Sequence, residues 1–345
     1  MPDQPRNARP GQRARAKALD ARGMRMAHWV FIHPQRQLMM KSLASHGGAL
    51  WCSFVAGLLL CAAAAAADAN IVYPLTGSRL DSRYDYDWAV LRLALDKTRA
   101  RYGSYDLHQS PIIMSPQRIT QELQNRPGRI NILARATDPE LEKTFLPVRI
   151  PIDKGLLGYR IFLVRAADLP RFAAVRTLRD LQPMTAGQGK GWADIPILHA
   201  AGLSTVEGST YEGLFAMLEA KRFDFFSRAA DEATREYNER HTLNPTLAVE
   251  PTLMLHYPLP RYFFLRRDAE GRELAARITA GLEIMVRDGS LNELFYRYKN
   301  AIIEQADLKH RRVINIANPD LSPETPLSRS ELWYDPLAGN PSGGK

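Results

Sequence analysis

The side chains that most often do chemistry are scattered in this sequence. Downstream of residue 67 there are five histidines, His108, His199, His241, His256 and His310, with no H-x-x-x-H pair and no metal-ligand spacing. Glu207, Glu212 and Asp231 fall near polar loops, but their spacing does not pair an acid with a base. Neither a G-x-S-x-G nor a phosphate-cradling glycine loop occurs. Both cysteines, Cys52 and Cys61, lie near the N-terminus, so the chain beyond them has no thiol nucleophile, zinc–thiolate set or disulfide. No catalytic residue, metal site or cofactor is therefore expected. What remains is recognition chemistry. Arg135 and Arg228 end apolar segments and carry the planar fork that suits carboxylates. Gln188, Gly189 and Trp192 sit in or beside a polar, glycine-rich stretch.

Charge narrows the partners. The 345 residues carry a formal +9, but residues 1–67 hold nine Lys/Arg and two acids, so the remainder is within two charges of neutral. The case for a nucleic-acid partner disappears with that leader. An apolar run, ALWCSFVAGLLLC from Ala49 to Cys61, follows Lys41 and leads into an alanine tract with A-x-A cleavage options after Ala67 or Ala69. Export to the periplasm through a cleavable signal peptide is expected, with translation starting at Met39 or Met40; the alternative is an uncleaved anchor. Leu60 before Cys61 argues against a lipoprotein.

The mature chain alternates strand and helix signals. NIVYPL (Asn70–Leu75) reads as a strand. Trp88, Leu91, Leu95 and Thr98 recur at helical spacing, and a strand is expected near Tyr105–Gln109. Ser115-Pro116 opens a helix with Ile119 and Leu123 inward, and RINIL (Arg129–Leu133) is the third strand. This β-α-β-α-β order predicts a parallel sheet covered by helices. Further on come a strand at Tyr159–Val164, a loop at Ala186–Gly191 and a helix at Ile195–Ala201. A capping box follows at Ser209–Glu212, then a strand at Phe223–Phe226. Tyr262–Leu265 is a strand, Glu270–Arg287 a long helix, and Ser290–Glu293 a second capping box. With 45% hydrophobic residues, an α/β protein with a substantial core is expected.

Four stretches in this order resemble the family 3 extracellular solute-binding proteins of ABC uptake systems. ITQELQNRPGRINILARATDPELEK resembles the family's helix-strand-loop segment, and TLRDLQPMTAGQG the opening of its second lobe. STYEGLFAMLEAKRFDFF resembles S-x-x-E-A-L-x-A-L-x-x-G-R-x-D-A, and LAARITAGLEIMVRDGSLNELFYRY the terminal helix pair. The resemblance covers about residues 70–300. It implies a type 2 periplasmic-binding fold of two lobes joined by two crossing strands, here Tyr159–Val164 and Arg261–Leu265. The implied divisions are a leader (1–69), lobe 1 (70–165 plus 259–335, with a C-terminal tail), lobe 2 (166–258) and a frayed end (336–345). It further implies a non-enzymatic, monomeric protein that closes on a small solute and is read by an ABC permease in the inner membrane.

The sequence departs from the family at both usual amino-acid contacts. Leu141 stands where an arginine would grip the α-carboxylate, and Ser227-Arg228-Ala229-Ala230 follow the returning strand where an aspartate would hold the ammonium. Arg135 and Arg228 are expected to face each other across the cleft and to favour an anionic or otherwise non-standard solute. The alternative is that each pairs with a neighbouring acid such as Asp138 or Asp231. Gln188 and Gly189 fall where the family offers backbone amides, and Trp192 either stacks on a ligand or caps a core. Tyr73 and Thr137, at strand ends, complete the candidates. Two other readings stay open: a periplasmic sensor or partner-binding module with the tail (301–335) as contact surface or mere strap, and an enzyme on this fold.

Overall fold

The computed structural model describes residues 69–75 and 84–337, so the expected leader with its signal peptide, up to residue 68, and the last eight residues lie outside the described residues. β1 (Ala69–Leu75) comes first, then α1 (Asp85–Lys97), whose Leu91 and Leu95 are fully buried. β2 (Tyr105–Ile113) runs parallel to β1, in register from Ala69↔Tyr105 to Tyr73↔Gln109. The register slips after Tyr73, where Pro74 has no N–H to give the ladder. α2 (Pro116–Gln124) starts as expected: the Ser115 side chain accepts from the Arg118 amide and Pro116 takes the first position.

The third strand differs from expectation. β3 is Ile132–Ala136, three residues later than predicted, and it does not extend a parallel sheet. The reason is Asn131. Its backbone amide donates to the Val72 carbonyl (3.0 Å), but its Nδ2 also donates to the Asn70 carbonyl (2.7 Å) and its Oδ1 accepts from the Val72 amide (2.9 Å), so the side chain takes the neighbouring rungs that a backbone ladder would use. After α3 (Pro139–Thr144) and β4 (Leu146–Val148), the chain leaves this lobe through residues 149–158.

The larger sheet follows. Its strands are β5 (Tyr159–Arg165), β6 (Thr185–Gly189), β7 (Ser204–Gly208), β8 (Phe225–Ala229), β9 (Leu247–Val249) and β10 (Leu253–His256). Helices α4 (Asp194–Ala200), α5 (Tyr211–Glu219) and α6 (Ala230–Arg240) alternate with them. The chain then returns through residues 257–260 to β11 (Arg261–Leu265), which pairs antiparallel with both β3 and β4. Two long helices follow, α7 (Ala269–Arg287) and α8 (Ser290–Ala306), and then β12 (Arg312–Asn315). The large sheet has the order β12-β10-β5-β8-β6-β7, with β9 also on β5. β5 is antiparallel to β8 and β10, whereas β6 is parallel to β7 and β8.

Two lobes result, and the two strands expected to cross between them each lie inside one sheet, β5 in the larger and β11 in the smaller. Two expected boundaries shift accordingly. Residues 159–165 pair with β8, so the second lobe starts near residue 159, and β12 from the expected tail adds to the second lobe's sheet beside β10.

Local corrections have simple causes. Ala186–Gly191 is not a loop; most of it is β6. Its glycines admit flat rings, since a Cβ on Gly187 would fall 2.2 Å from Phe223 and one on Gly189 equally close to Trp192. Strand β8 starts at Phe225 instead of Phe223, because Phe223 is tucked against Gly187 and the Asp224 amide donates to Thr185 (2.8 Å). Thr210, not Ser209, caps α5, accepting from the Gly213 amide. At α8 the cap is Gly289, in the left-handed region at φ 80°, and Asp288 accepts from the amide and hydroxyl of Ser290. Among the described residues no helix is long and apolar enough to cross a membrane, and no group of three or more His, Cys, Asp or Glu is placed to hold a metal ion.

Candidate functional site

Three sequence-predicted residues, Gly189, Trp192 and Arg228, come together at the C-terminal ends of β6 and β8. The Trp192 ring lies over Gly189 and stacks on Phe226 at 6.1 Å between centroids. Arg228 lies 4.8 Å from the Trp192 centroid and within 6 Å of the Phe226 and Tyr211 rings. Gln188, fully buried, points to the opposite face of the sheet. There its Nε2 reaches the Ser227 carbonyl at 3.5 Å, while Gln188 Oε1 and Ser227 Oγ are buried without a hydrogen-bond partner. Unpaired buried polar atoms typically cost about 1–3 kcal/mol each.

Arg228 is not the open cation expected. Its guanidinium forks the Glu236 carboxylate (2.6–3.0 Å) and reaches Glu232 at 3.1 Å. The partners are neither Asp138 nor Asp231. Helix α6 begins immediately after β8, and its turns return Glu232 and Glu236, four and eight residues on, beneath the strand end. Burial lowers the pKa of the Arg228 guanidinium, but Glu232 and Glu236 outweigh it and raise the value above that of a free arginine.

Glu232 is the hub of a larger buried network that the sequence reading missed. It lies 3.5 Å from Arg160 on β5 and 3.8 Å from Arg261 on β11, so it collects cations from both sheets. Burial raises its carboxyl pKa, yet Arg228 and Arg160 bring it below the usual value. Arg160 pairs with Asp194 at the start of α4, and its Nε meets the Tyr257 hydroxyl at 3.1 Å, which itself donates to Asp194. Arg261 holds Asp87 on α1 at 2.9 Å, and Lys299 on α8 holds Asp231 on α6 at 2.6 Å. One acid stands apart. Among the described residues Asp153, in the first link between lobes, accepts the Gly155 and Leu157 amides and makes no ion pair, and burial pushes its carboxyl up to about 6. The available signal was a charged residue opening an apolar strand, as in Tyr159-Arg160-Ile161-Phe162 and Arg261-Tyr262-Phe263.

The other candidates lie at the strand ends of the first lobe. Tyr73 stacks on Trp88 at 4.3 Å. Thr137 is buried, with its amide donating to the Pro260 carbonyl (3.0 Å) and its hydroxyl to Glu142. Arg135 is half-buried on the α2 side of β3. It makes a long 3.4 Å contact to Thr120 Oγ1 and no ion pair among the described residues. The structure therefore does not bring Arg135 and Arg228 together as a pair of open cations. Tyr86 is buried, its hydroxyl donating to the Ile152 carbonyl at 2.6 Å. Of the histidines, His256 is stacked on Tyr159 at 4.3 Å and bonded to Asn315, and burial lowers its pKa.

No known sequence family and no curated protein matches the chain. Solved structures do. The VFT2 domain of BvgS from Bordetella pertussis, as a double mutant, is similar at a TM-score of 0.50 and 16% identity, over 66% of this chain and 93% of that domain. An ancestral arginine-binding protein bound to arginine follows at 0.48 and 16%, over 66% of this chain and 97% of that one. AbpA, an amino acid ABC transporter substrate-binding protein from Streptococcus pneumoniae bound to L-arginine, gives 0.47 and 16%, over 68% and 95%. At these identities the likeness establishes the fold: a two-lobed, periplasmic-binding-type α/β protein.

Proposed function

We propose that this chain is an exported, non-enzymatic solute-binding protein that captures a small molecule by lobe closure, for delivery to an ABC-type permease. The observation that carries the reading is the charged hub at Glu232. It draws Arg228 and Arg160 from one sheet and Arg261 from the other, where closing lobes exchange partners. Arg135 supplies the fork for a ligand carboxylate, while Arg228, held by Glu232 and Glu236, shapes the floor under Trp192. The ligand class this favours is a small solute with an anionic group, taken up by a monomer.

A thermal-shift screen of purified protein, refolded to strip carried-over ligand, tests it. The panel holds di- and tricarboxylates, sugar acids, aromatic acids, polyamines and amino acids. A ligand at about 100 times its Kd stabilises by about 2.7 kcal/mol, several degrees for a chain of this size. An acidic hit that Arg135→Ala abolishes supports the assignment, whereas a hit unaffected by Arg135→Ala removes Arg135 from it. Silence across the panel favours the second reading, a sensor or partner-binding module. That reading draws on the same network, because Arg160, Arg228, Arg261 and Lys299 all have carboxylate partners within the protein.

A further inference from the structure

A basic recess of about 640 Å³ opens beside β12, lined by Arg176, Lys309, His310, Arg311 and Arg312. Most of its charge is already engaged: Arg311 donates to the Ala306 and Leu253 carbonyls, Arg312 to that of Val175, and His310 faces Asp307. The stronger unassigned feature is the segment that follows β12.

The segment starts on the second lobe and ends on the first. β12 pairs with β10 at the edge of the large sheet, and Asn318 Nδ2 then donates to the Pro258 carbonyl (2.9 Å) in the return link. Further on, Glu324 meets Arg149 at 2.8 Å, at the start of the outward link. Arg329 forks Glu283 on α7 (2.6 and 3.0 Å), and Leu332 is fully buried. Tyr334 closes the run, its ring against Phe295 of α8 and Tyr159 of β5.

Between these anchors it grips the least ordinary backbone in the outward link. Lys154 and Gly155 are consecutive residues at φ 52° and 71°, the left-handed region that a lysine seldom adopts. A residue in such a conformation persists where its surroundings over-determine it. Here the Lys154 carbonyl accepts from the Tyr334 amide (2.7 Å), and its Nζ donates to the Glu331 carbonyl (2.6 Å). The Trp333 ring lies so close over Gly155 that a Cβ there would stand 2.4 Å from it. The Tyr159 hydroxyl adds a bond to the Tyr334 carbonyl (2.8 Å).

We propose that residues 316–335 are a third, hinge-side connection between the lobes that sets their resting angle by clamping both links. A hinge needs a few residues free to change φ and ψ, and here those residues are bound from outside. Opening or closing must then either carry the strap along or release it.

The test uses the full chain with Cys52→Ser and Cys61→Ser. Spin labels sit at Arg222→Cys on the second lobe and Glu273→Cys on the first, both exposed positions. Trp333→Ala is expected to broaden the interlobe distance distribution or shift its mean by several ångströms. It should also speed amide exchange at residues 155–158 by at least about tenfold. Should Trp333→Ala unfold the protein, Arg329→Gln, which loses the part-buried fork on Glu283 and the contact to Glu331, carries the same two readouts. An unchanged distance distribution, with faster exchange confined to residues 330–335, would overturn the proposal and leave the segment as passive packing.

Discussion

At the scale of single residues, the structure separates charges that are matched from one that is not. Arg228, Arg160 and Arg261 sit against carboxylates, whereas Asp153 accepts two amides and makes no ion pair among the described residues. Burial pushes its carboxyl up to about 6; Arg261 opposes the shift, and Asp87 and Asp231 add to it. A raised carboxyl pKa means the folded state holds the proton more tightly than the unfolded chain. Stability then falls as pH rises from about 4 to 6 and stays reduced above that window. Asp153→Asn removes the ionisation while keeping an oxygen for one amide. Its stability relative to the parent should therefore improve between pH 4 and pH 7, by on the order of 3 kcal/mol before the lost amide bond is counted. Urea unfolding at the two pH values measures this, and an equal difference at both would contradict it.

At the scale of elements, most of the order was legible because periodicity and capping are local. Helix α7 and strands β1, β5 and β11 fall within one or two residues of expectation. What failed was decided by distant contacts. The glycines of β6 look like loop residues until Phe223 and Trp192 are seen lying on them, and β3's change of sheet depends on one asparagine reaching β1. Less of the candidate site was legible. Gly189, Trp192 and Arg228 meet on one face of the strand ends and Gln188 turns to the other, while the acids that engage Arg228 come from helical turns whose register the sequence left open. Capping provides a sharp test, since Thr210 and Ser209 are adjacent and only Thr210 bonds the Gly213 amide. Thr210→Ala should cost about 1 kcal/mol, and Ser209→Ala under about 0.5 kcal/mol. Chemical denaturation showing the reverse ranking would place the cap one residue earlier.

At the scale of the whole molecule, the question is whether the two lobes unfold together. Ion pairs and hydrogen bonds do cross between them: Lys299 meets Asp231, and Asn238 and Gln305 exchange amide bonds at 3.0 Å. The apolar core crosses as well. One buried cluster contains Leu91, Ile278 and Leu282 of the first lobe, Leu163, Leu214 and Phe226 of the second, and Leu332 of the strap. Burial of a single large aliphatic side chain contributes roughly 1.5–3 kcal/mol, so this shared cluster outweighs the polar contacts in coupling the lobes. Calorimetry should therefore show one cooperative transition with matching calorimetric and van't Hoff enthalpies. Lys299→Met, which leaves Asp231 buried without its partner, should lower Tm by several degrees yet keep the transition single. Two transitions in the parent protein would mean the cluster divides at the seam. Two in the variant alone would mean that the Lys299–Asp231 pair, not the apolar core, joins the lobes.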